Sequence, residues 1–357
     1  MSERSYIDDG SFMRLMKPFE PFEARATIAL AVSGGIDSMT MSLLMHRWGE
    51  AKTLSVVALT IDHGLRPSSA QEADKTQRWL TSKGMTSHIL TETHPPILGN
   101  TQAWARTYRY RLMEAWCQRH AVTHLVTAHH QQDQVETWVI RVGRGSGVYG
   151  LGGILPVHYR HHIRVIRPLL TIDKESILAT ARHLGIKAHE PVCDPANKDP
   201  RFLRTRIRQH AHHLHTIGLI PAKVTKATHA CRRVRDVLEK DMAQWIASSL
   251  HVSCWGYAVV KIGDLRRCHD DIAMQIVGRV LRLVSGKTYM PRLQSNKRLL
   301  ESLYAYKGNA PLGHTLHGCM LQHQAQRDML YIMREHACCS SVPLALDVGK
   351  TALWDGR

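Results

Sequence analysis

The sequence predicts an α/β fold, in which a parallel sheet carries helices on both faces and a smaller α+β domain follows it. Two observations lead to this prediction. Short apolar runs alternate with helical patterns from about residue 27 to residue 185, and the alternation stops beyond about residue 215. Strands that alternate with helices form βαβ units and a parallel sheet. The length of 357 residues allows about two or three domains of ordinary size.

The alternating part of the chain supplies four strands and four helices in order. Apolar and β-branched runs predict the strands, and apolar residues at helical spacing predict the helices. The strands are Ile28–Val32, Leu54–Ile61, Ser87–Leu90 and His124–Thr127, and the helices are Met39–Trp48, Ala70–Ser82, the stretch from Trp104 to Trp116, and Gln134–Val142. Ligands bind outside the carboxyl ends of parallel strands, so we expect functional residues in the loops after these strands.

The chain beyond about His215 predicts a second, smaller domain. Helices are expected over Ala222–Leu250, Ile272–Val284 and Pro291–Tyr306, and strands over Trp255–Lys261, Thr315–Leu321 and Met329–Met333. We place the domain boundary near Gly218–Pro221. The expected organisation is a loosely packed N-terminal extension (residues 1–26), an α/β domain (27–217) and a C-terminal domain (218–357).

The charge balance indicates a polyanionic partner. Lys and Arg number 47 against 30 Asp and Glu, which gives a net charge of +17 and a pI near 9.8. Such a balance is typical of proteins that bind nucleic acid. A basic enzyme without a nucleic-acid partner is the alternative.

The cysteines and the apolar runs exclude several classes of protein. None of the eight cysteines forms a CxxC pair, which argues against a zinc ribbon, a thioredoxin motif or a cysteine-ligated iron–sulfur cluster. Free thiols in a reducing compartment are expected. No apolar run approaches the roughly 18 residues that span a bilayer, and the start shows no secretory signal. We therefore expect a cytoplasmic protein without a membrane segment.

The strongest chemical motif is Ser33-Gly34-Gly35-Ile36-Asp37-Ser38, between the first strand and the first helix. Glycines allow a tight turn and a close approach to a ligand. The N-terminus of the following helix offers N–H groups that suit phosphate. Asp37 would repel a phosphate but could hold a phosphate-bound Mg²⁺. The alternative is an ordinary tight turn that caps the helix.

A second glycine motif points to no dinucleotide site. Residues 145–150 fit GxGxxG, but they follow a helical stretch, and the fingerprint has its meaning only after a strand. We interpret this segment as a mobile or turn-rich loop beside the site.

The hexapeptide resembles the pyrophosphate loop of the PP-loop (N-type) ATP pyrophosphatases, and further motifs resemble the tRNA(Ile)-lysidine synthetase family. The chain lacks the GxxxxGK[ST] pattern of a Walker A loop. The further motifs are Asp62-His63-Gly64-Leu65-Arg66-Pro67, Ala105-Arg106 with Arg109-Tyr110, residues 129–137, Arg144-Gly145-Ser146-Gly147, Arg167-Pro168-Leu169-Leu170 with Lys174, and Asp194-Pro195-Ala196-Asn197 leading to Arg204, Arg206 and Arg208. The resemblance covers about residues 27–215.

This resemblance implies an adenine nucleotide alpha hydrolase-like, Rossmann-like domain and a specific reaction. Such an enzyme uses ATP to adenylate C2 of the wobble cytidine in tRNA(Ile) with a CAU anticodon. The ε-amino group of free lysine then attacks, giving lysidine, AMP and pyrophosphate. The implied ligands are ATP with Mg²⁺, lysine and tRNA. The resemblance also implies that residues 218–357 form a tRNA-binding domain, and a homodimer is compatible with the family.

The resemblance also implies roles for individual residues. The residues that would bind ATP are Ser33, Gly34, Gly35, Ile36, Asp37, Ser38 and His63, and Asp37 would also hold the Mg²⁺. The catalytic residues would be Asp37, Arg106, Asp133 and Glu136. Lysine would be bound by Asp133 and Glu136. The two acids lie three residues apart on one face of a helix start, where they could bind an ammonium, bind Mg²⁺ or accept a proton. The family often has another acid where this chain has Gln132.

Plainer interpretations remain for these residues. Acids near a helix start are also favoured by the helix dipole, His63 could be a satisfied loop histidine, and Arg106 could be a solvated helix charge. His129 and His130 follow the fourth predicted strand, and adjacent residues of an extended chain point to opposite faces. A structural or positioning role is therefore expected for both, in preference to metal ligation.

A basic run lies between residues 201 and 235, with nine Lys or Arg and no Asp or Glu. We predict that it contacts the tRNA backbone, because unopposed like charges repel one another unless an anion is present. The residues assigned to this role are Arg201, Arg204, Arg206 and Arg208.

Two other functions remain open from the sequence. The chain could be another PP-loop tRNA-modifying enzyme such as a thiolase, although the 2-thiocytidine type carries CxxC cysteines that this chain lacks. It could also be a non-catalytic RNA-binding protein with a nucleotide fold, which the intact hexapeptide disfavours.

Overall fold

The computed structural model describes residues 6–64, 68–92, 101–192, 199–287, 289–307, 312–339, 344–346 and 348–349, with the side chains of 101–103 left out. The chain divides into two compact units, residues 1–233 and 234–357. The boundary that we predicted between 217 and 218 lies inside the first unit, because the long helix that follows it belongs in part to each unit.

The first unit is built on a six-stranded sheet with the strand order β3-β2-β1-β4-β6-β5. Five of these strands run parallel, and β5 pairs antiparallel with β6 at the edge. The strands are β1 (Thr27–Ala31), β2 (Ser55–Ile61), β3 (Thr86–Leu90), β4 (His124–Val126), β5 (Val157–Arg160) and β6 (Ile163–Ile166). The predicted parallel sheet is confirmed, whereas the β5–β6 hairpin had not been predicted.

Helices cover this sheet. They are α1 (Asp9–Met16), α2 (Ile36–Ala51), α3 (Ser69–Ser82), α4 (Thr101–Arg119), α5 (Gln131–Gly143), α6 (Val148–Leu151), α7 (Lys174–His183), α8 (Leu203–Gln209), α9 (Ala211–Thr216) and the start of α10 (Pro221–Ser249). None of the helices within the described ranges is both long and apolar enough to cross a membrane.

The central strand β1 explains why both faces need helices. Ile28 and Leu30 belong to a buried cluster that includes Met41 of α2, whereas Ala29 packs in a second cluster with Met113 of α4. Successive residues of a strand point to opposite faces. The apolar run of β1 is therefore buried on both sides, as in other parallel sheets.

The topology fixes where a site can form. β1 pairs with β2 on one side and with β4 on the other, with Leu30 opposite Ala58 and Val126. The chain leaves β1 and β4 in different directions along the sheet, so a crevice opens between their carboxyl ends. Ligands of doubly wound sheets bind in such a crevice.

The N-terminal segment packs tightly, so the expectation of a loose extension is wrong for residues 6–25. Phe12 and Met16 of α1 are at most 1% exposed and join the cluster of α2. The backbone N–H of Ile7 also donates to Oγ1 of Thr180 at 2.9 Å. The i, i+4 spacing of Phe12 and Met16 gives the helix a buried face, and this spacing is visible in the sequence.

The second unit is a five-stranded antiparallel sheet with helices, in the order β7-β8-β11-β10-β9. Its elements are β7 (Leu250–Val252), β8 (Ala258–Lys261), α11 (Ile262–Arg266), α12 (Asp270–Ser285), α13 (Leu293–Ala305), β9 (Leu312–Leu316), β10 (Cys319–Gln324) and β11 (Met329–Arg334). The predicted α+β domain is confirmed. The run predicted as a single strand over Thr315–Leu321 is interrupted, because His317 and Gly318 both adopt a positive φ and turn the chain.

Candidate active site

A cavity of about 390 Å³ lies at the carboxyl ends of β1, β2 and β4 in the first unit. It occupies the crevice between β1 and β4, where the topology places a ligand. Of the residues assigned a role from the sequence, those that line it are Ser33, Gly35, Asp37, Ser38, His63, Arg106, Asp133 and Arg204. The predicted nucleotide loop and one acid of the predicted pair therefore face the same space.

Gly34 holds the hexapeptide in a conformation that another residue would strain. Its φ is +78°, and an added Cβ would lie 2.3 Å from Oγ1 of Thr76 and 2.9 Å from Cγ2 of Val192. The carbonyl of Gly34 also accepts a hydrogen bond from the N–H of Val192 at 2.9 Å. The loop is therefore clamped between α3 and the segment that follows α7.

Ser38 fixes the loop from within, and the hydroxyl of Ser33, at the cavity wall, lies 3.3 Å from that of Ser38. The Ser38 side chain is buried; its hydroxyl donates to the Gly35 carbonyl at 2.9 Å and accepts from the N–H of Ser33 at 3.2 Å. Gly35 is the N-cap of α2 and has no side chain with which to cap it. The first N–H groups of α2 therefore point at the cavity without a local side-chain acceptor, which suits a phosphate.

Asp37 lies in the first turn of α2 between two basic side chains. Lys174, the first residue of α7, donates to its Oδ1, and Nε2 of His130 lies 3.5 Å from its Oδ2. Burial acts to raise the pKa of the Asp37 carboxyl, but the hydrogen bond from His130 and the charge of Lys174 outweigh it and hold the pKa below its usual value. Asp37 is therefore held as a carboxylate.

The two histidines follow β4, as predicted. β4 ends at Val126. His130 is the N-cap of α5, where its Nδ1 accepts from the N–H of Gln132 at 3.2 Å. This bond leaves the proton on Nε2, which faces Asp37. His130 is thus a structural and positioning residue, as the sequence analysis expected, although for a different geometric reason.

His129 lines the cavity and is kept neutral. Its Nδ1 lies 2.9 Å from Oγ1 of Thr127. Burial lowers the pKa of His129 to about 3, and the charges of Arg167 and Arg106 add to this shift while Asp133 opposes it. The ring can therefore donate or accept one hydrogen bond to a ligand without carrying charge.

Asp133 and Glu136 share a helix face but have different surroundings. Asp133 lines the cavity, and one of its oxygens accepts from the backbone N–H of His130 at 3.0 Å in a capping box. Glu136 is fully buried, and Arg208 donates to it at 2.5 and 3.1 Å. Of these two carboxylates, that of Asp133 faces the cavity and that of Glu136 does not.

The four arginines assigned to tRNA are placed differently from one another. Arg204 lines the cavity with a nitrogen 3.8 Å from Asp133, and Arg208 is the partner of Glu136. Arg201 pairs with Asp199 at 2.7 Å on the surface, and Arg206 is exposed on α8. Two of these four arginines therefore lie on the surface, and the other two lie beside the acids of the site.

Arg106 enters the cavity from α4 as part of an aromatic–cation cluster. Its guanidinium lies 5.3 Å from the ring of Tyr110, and that of Arg160 lies 4.6 Å from the same ring. Cations are attracted to the face of an aromatic ring. Tyr110 and Arg109 also line the cavity, so this wall is positively charged and suits a phosphate or an RNA backbone.

Several of these residues had no assigned role before the structure. Lys174, Arg109 and Tyr110 stand in the motifs that carried the resemblance, whereas Thr76 and Val192 carried no signal at all. The motif positions 65–67 and 194–197 lie outside the described residues. The GxGxxG segment follows α5 and leads into α6, so the strand that would make it a dinucleotide fingerprint does not precede it.

The donors of the cavity fit a metal that arrives with a phosphate. Within the described ranges, no group of three or more His, Cys, Asp or Glu is arranged to hold a metal ion alone. Mg²⁺ commonly binds through one or two carboxylates together with substrate phosphates. Asp37, beside the N-terminus of α2, provides such a carboxylate.

Comparisons with known proteins place the chain in a family. The PP-loop domain model matches residues 9–214. The tRNA(Ile)-lysidine synthase of Orientia tsutsugamushi (strain Boryong) is 29% identical over 358 residues, which cover 97% of this chain and 78% of that protein. The enzyme of the same name from Ruegeria pomeroyi is 30% identical over 331 residues, covering 92% and 75% respectively.

A solved structure supports the fold alone. The U34-tRNA thiolase NcsA from Methanococcus maripaludis superposes with a TM-score of 0.52 at 16% identity, over 63% of this chain and 79% of that one. The matched domain model, the relatives along nearly the whole chain and the clamped glycine loop agree with one another. The chain therefore belongs to the PP-loop family and, within it, to the tRNA(Ile)-lysidine synthases.

Proposed function

We propose that this protein ligates free L-lysine to C2 of the wobble cytidine of tRNA(Ile) with a CAU anticodon, at the expense of ATP. The proposal rests on one observation: the glycine loop, Asp133, Arg106 and Arg204 all line the same cavity. This cavity combines a phosphate site, a carboxylate for an ammonium group and cations for an RNA backbone. The reaction needs these three groups together.

The first step is adenylation of the cytidine. The C2 oxygen attacks the α-phosphate of ATP, and pyrophosphate leaves. The uncapped first turn of α2 and the hydroxyl of Ser33 would bind the phosphates. Asp37 would hold Mg²⁺, which when bound neutralises phosphate charge. Lys174 and His130 fix the carboxylate of Asp37 in its ionised form, and His63 would lie beside the nucleotide.

The second step is attack by lysine. Its ε-nitrogen forms the bond to C2, and AMP leaves with the C2 oxygen. The ε-ammonium must first lose a proton, and the cavity-facing carboxylate of Asp133 is the acceptor that we assign. Arg106 and Arg204 would stabilise the charge on the departing phosphate.

Glu136 would bind lysine together with Asp133, as the family resemblance implies. Its carboxylate already accepts both hydrogen bonds from Arg208. For lysine to reach Glu136, the Arg208 side chain has to move aside. Arg206 on α8 and Arg201, which precedes this helix, would contact the tRNA backbone. The protein would act in the cytoplasm.

The test is a reconstituted reaction. Purified protein is incubated with ATP, Mg²⁺, lysine and an unmodified tRNA(Ile) transcript with a CAU anticodon. The molecular mass of the wobble nucleoside is then measured. We expect a lysine-dependent mass gain with equimolar AMP and pyrophosphate. Asp37→Ala protein and a reaction without lysine are the controls. ATP binding without any lysine-dependent gain would refute the proposal, and a gain with a sulfur donor in place of lysine would favour thiolation.

A further inference from the structure

A second cavity of about 280 Å³ lies in the same unit, away from the glycine loop. We call it the α1–α10 cavity, because its walls include the end of α1 and the first turns of α10. Phe19, Pro156 and Pro168 are among its apolar walls. Among the described residues, no side chain lines both this cavity and the candidate active site. The two are therefore separate binding spaces.

The charged side chains that line the α1–α10 cavity are all basic. Arg14, Arg167 and Arg232 line it together with His229 and threonine hydroxyls, and none of its described lining residues is acidic. Burial lowers the pKa of His229, and the nearby charges of Arg232 and Arg233 lower it further. An electropositive cavity with apolar walls suits an anion that also carries an apolar body.

Two of the guanidinium groups are held in place by the backbone. Nε of Arg232 donates to the Gly152 carbonyl at 2.7 Å, and Nη1 of Arg167 donates to the Leu155 carbonyl at 2.8 Å. Arg14 differs, because it is exposed at the end of α1 and donates to the Ser11 hydroxyl at 2.8 Å. The cavity thus combines inner guanidinium groups that the backbone holds with one exposed charge at its rim, an arrangement that orders few groups on binding.

We propose that the α1–α10 cavity binds a nucleotide, with the base against Phe19 and the prolines and the phosphate on Arg14 and His229. A nucleotide joins a flat, largely apolar ring to an anion, which matches the walls and the charges. The source is either a free mononucleotide or one unstacked nucleotide of a bound RNA. The RNA source rests on the proposed function, because α10 belongs to the basic run assigned to tRNA, whereas the free source does not.

Equilibrium dialysis with radiolabelled AMP tests the free source. No competing nucleotide is added, because an analogue that fills the active-site cavity would also fill the α1–α10 cavity. We expect wild-type protein to have an AMP site that Arg14→Glu and His229→Glu weaken at least tenfold. Lys17→Glu is the matched control, since Lys17 is exposed in the same segment and does not line the cavity. Circular dichroism confirms that each variant is folded.

Titration of the tRNA(Ile) transcript at several salt concentrations tests the RNA source. If no AMP site of the wild-type protein depends on Arg14, a loss of tRNA affinity of at least tenfold in Arg14→Glu but not in Lys17→Glu would assign the cavity to a nucleotide of RNA. Arg14→Glu equal to Lys17→Glu in both titrations would overturn the proposal. Wild-type pyrophosphate release, measured in parallel, reports on the proposed function alone.

Discussion

Arg208 of α8 and Glu136 of α5 form a two-point ion pair beside the active-site cavity. Nε of Arg208 lies 2.5 Å from Oε1 of Glu136, and a second nitrogen lies 3.1 Å from Oε2. The Glu136 side chain is 0% exposed and that of Arg208 is 38% exposed. Burial raises the pKa of the Glu136 carboxyl, and Arg208 opposes this rise. The basic helix α8 is thus joined to the helix that carries Asp133.

We expect Arg208→Ala to lower the free energy of unfolding by about 1–3 kcal/mol. Removal of one partner of a fully buried ion pair costs about 3–5 kcal/mol, and the partial exposure of Arg208 reduces that cost by solvent screening. Urea unfolding followed by circular dichroism measures the change. The reason for the loss is the carboxylate of Glu136, which would stay buried without its cation.

Two variants separate this effect from the mere loss of a positive charge. Arg206→Ala removes an exposed arginine from the same helix and should change the stability by no more than about 0.5 kcal/mol. Glu136→Gln combined with Arg208→Ala removes the buried charge and should recover part of the loss. Equal midpoints for Arg208→Ala and Arg206→Ala would show that the pair contributes nothing to stability.

Asp37→Ala should lower the rate of pyrophosphate release by about 100-fold or more, the range found when one electrostatic group of an active site is removed. The carboxylate lies in the cavity beside the first turn of α2, between Lys174 and His130. The assay measures pyrophosphate with ATP, lysine and tRNA. Asp74→Ala on the surface of α3, where the side chain is 54% exposed, should keep the wild-type rate. Retained turnover in Asp37→Ala would exclude the metal role assigned to this residue.

The sequence predicts the parts of this site that depend on local pattern. The hexapeptide lies between an apolar run and a helical pattern, so its position at the end of β1 follows from periodicity alone. Asp133 and Glu136 could be placed on one helix face for the same reason. Both predictions concern residues a few positions apart, for which backbone geometry fixes the relation.

The partners of these residues could not be predicted in the same way. Lys174 reaches Asp37 across 137 positions, and Arg208 reaches Glu136 across 72. Such pairs depend on how helices pack on the sheet, and a single sequence carries no signal for them. The prediction of one strand over Thr315–Leu321 was wrong for a different reason. The alternation of side-chain type along the sequence continues through the turn at Gly318, so the pattern does not reveal the turn.

Gly34→Ala should destabilise the protein by about 1–3 kcal/mol, because the residue adopts a positive φ and its Cβ would clash with Thr76 and Val192. Gly35→Ala is the matched control. Gly35 has a φ of −72°, and its added Cβ would meet Oγ of Ser33 at 3.7 Å, an ordinary contact. Thermal unfolding compares the two variants. Equal losses for both would mean that the clamp on Gly34 does not determine the loop.

His129 should make the stability of the protein depend on pH on the acid side. Burial lowers its pKa to about 3 in the folded protein, with Arg167 and Arg106 adding to the shift, against about 6.5 in an unfolded chain. Between these two values the unfolded chain binds a proton that the folded protein does not. The free energy of unfolding therefore falls as the pH is lowered from about 6.5 towards 3, by at most about 1.4 kcal/mol per pH unit.

His129→Gln removes this titration while keeping a side chain that can hydrogen-bond. Urea unfolding at pH 7.5 and pH 4.5 should show a smaller loss of stability on acidification for His129→Gln than for the wild type. His189→Gln, at an exposed position of the same unit, should lose as much stability as the wild type. Equal losses for His129→Gln and the wild type would mean that His129 gains its proton in the folded protein as easily as in the unfolded chain, so that burial would not lower its pKa.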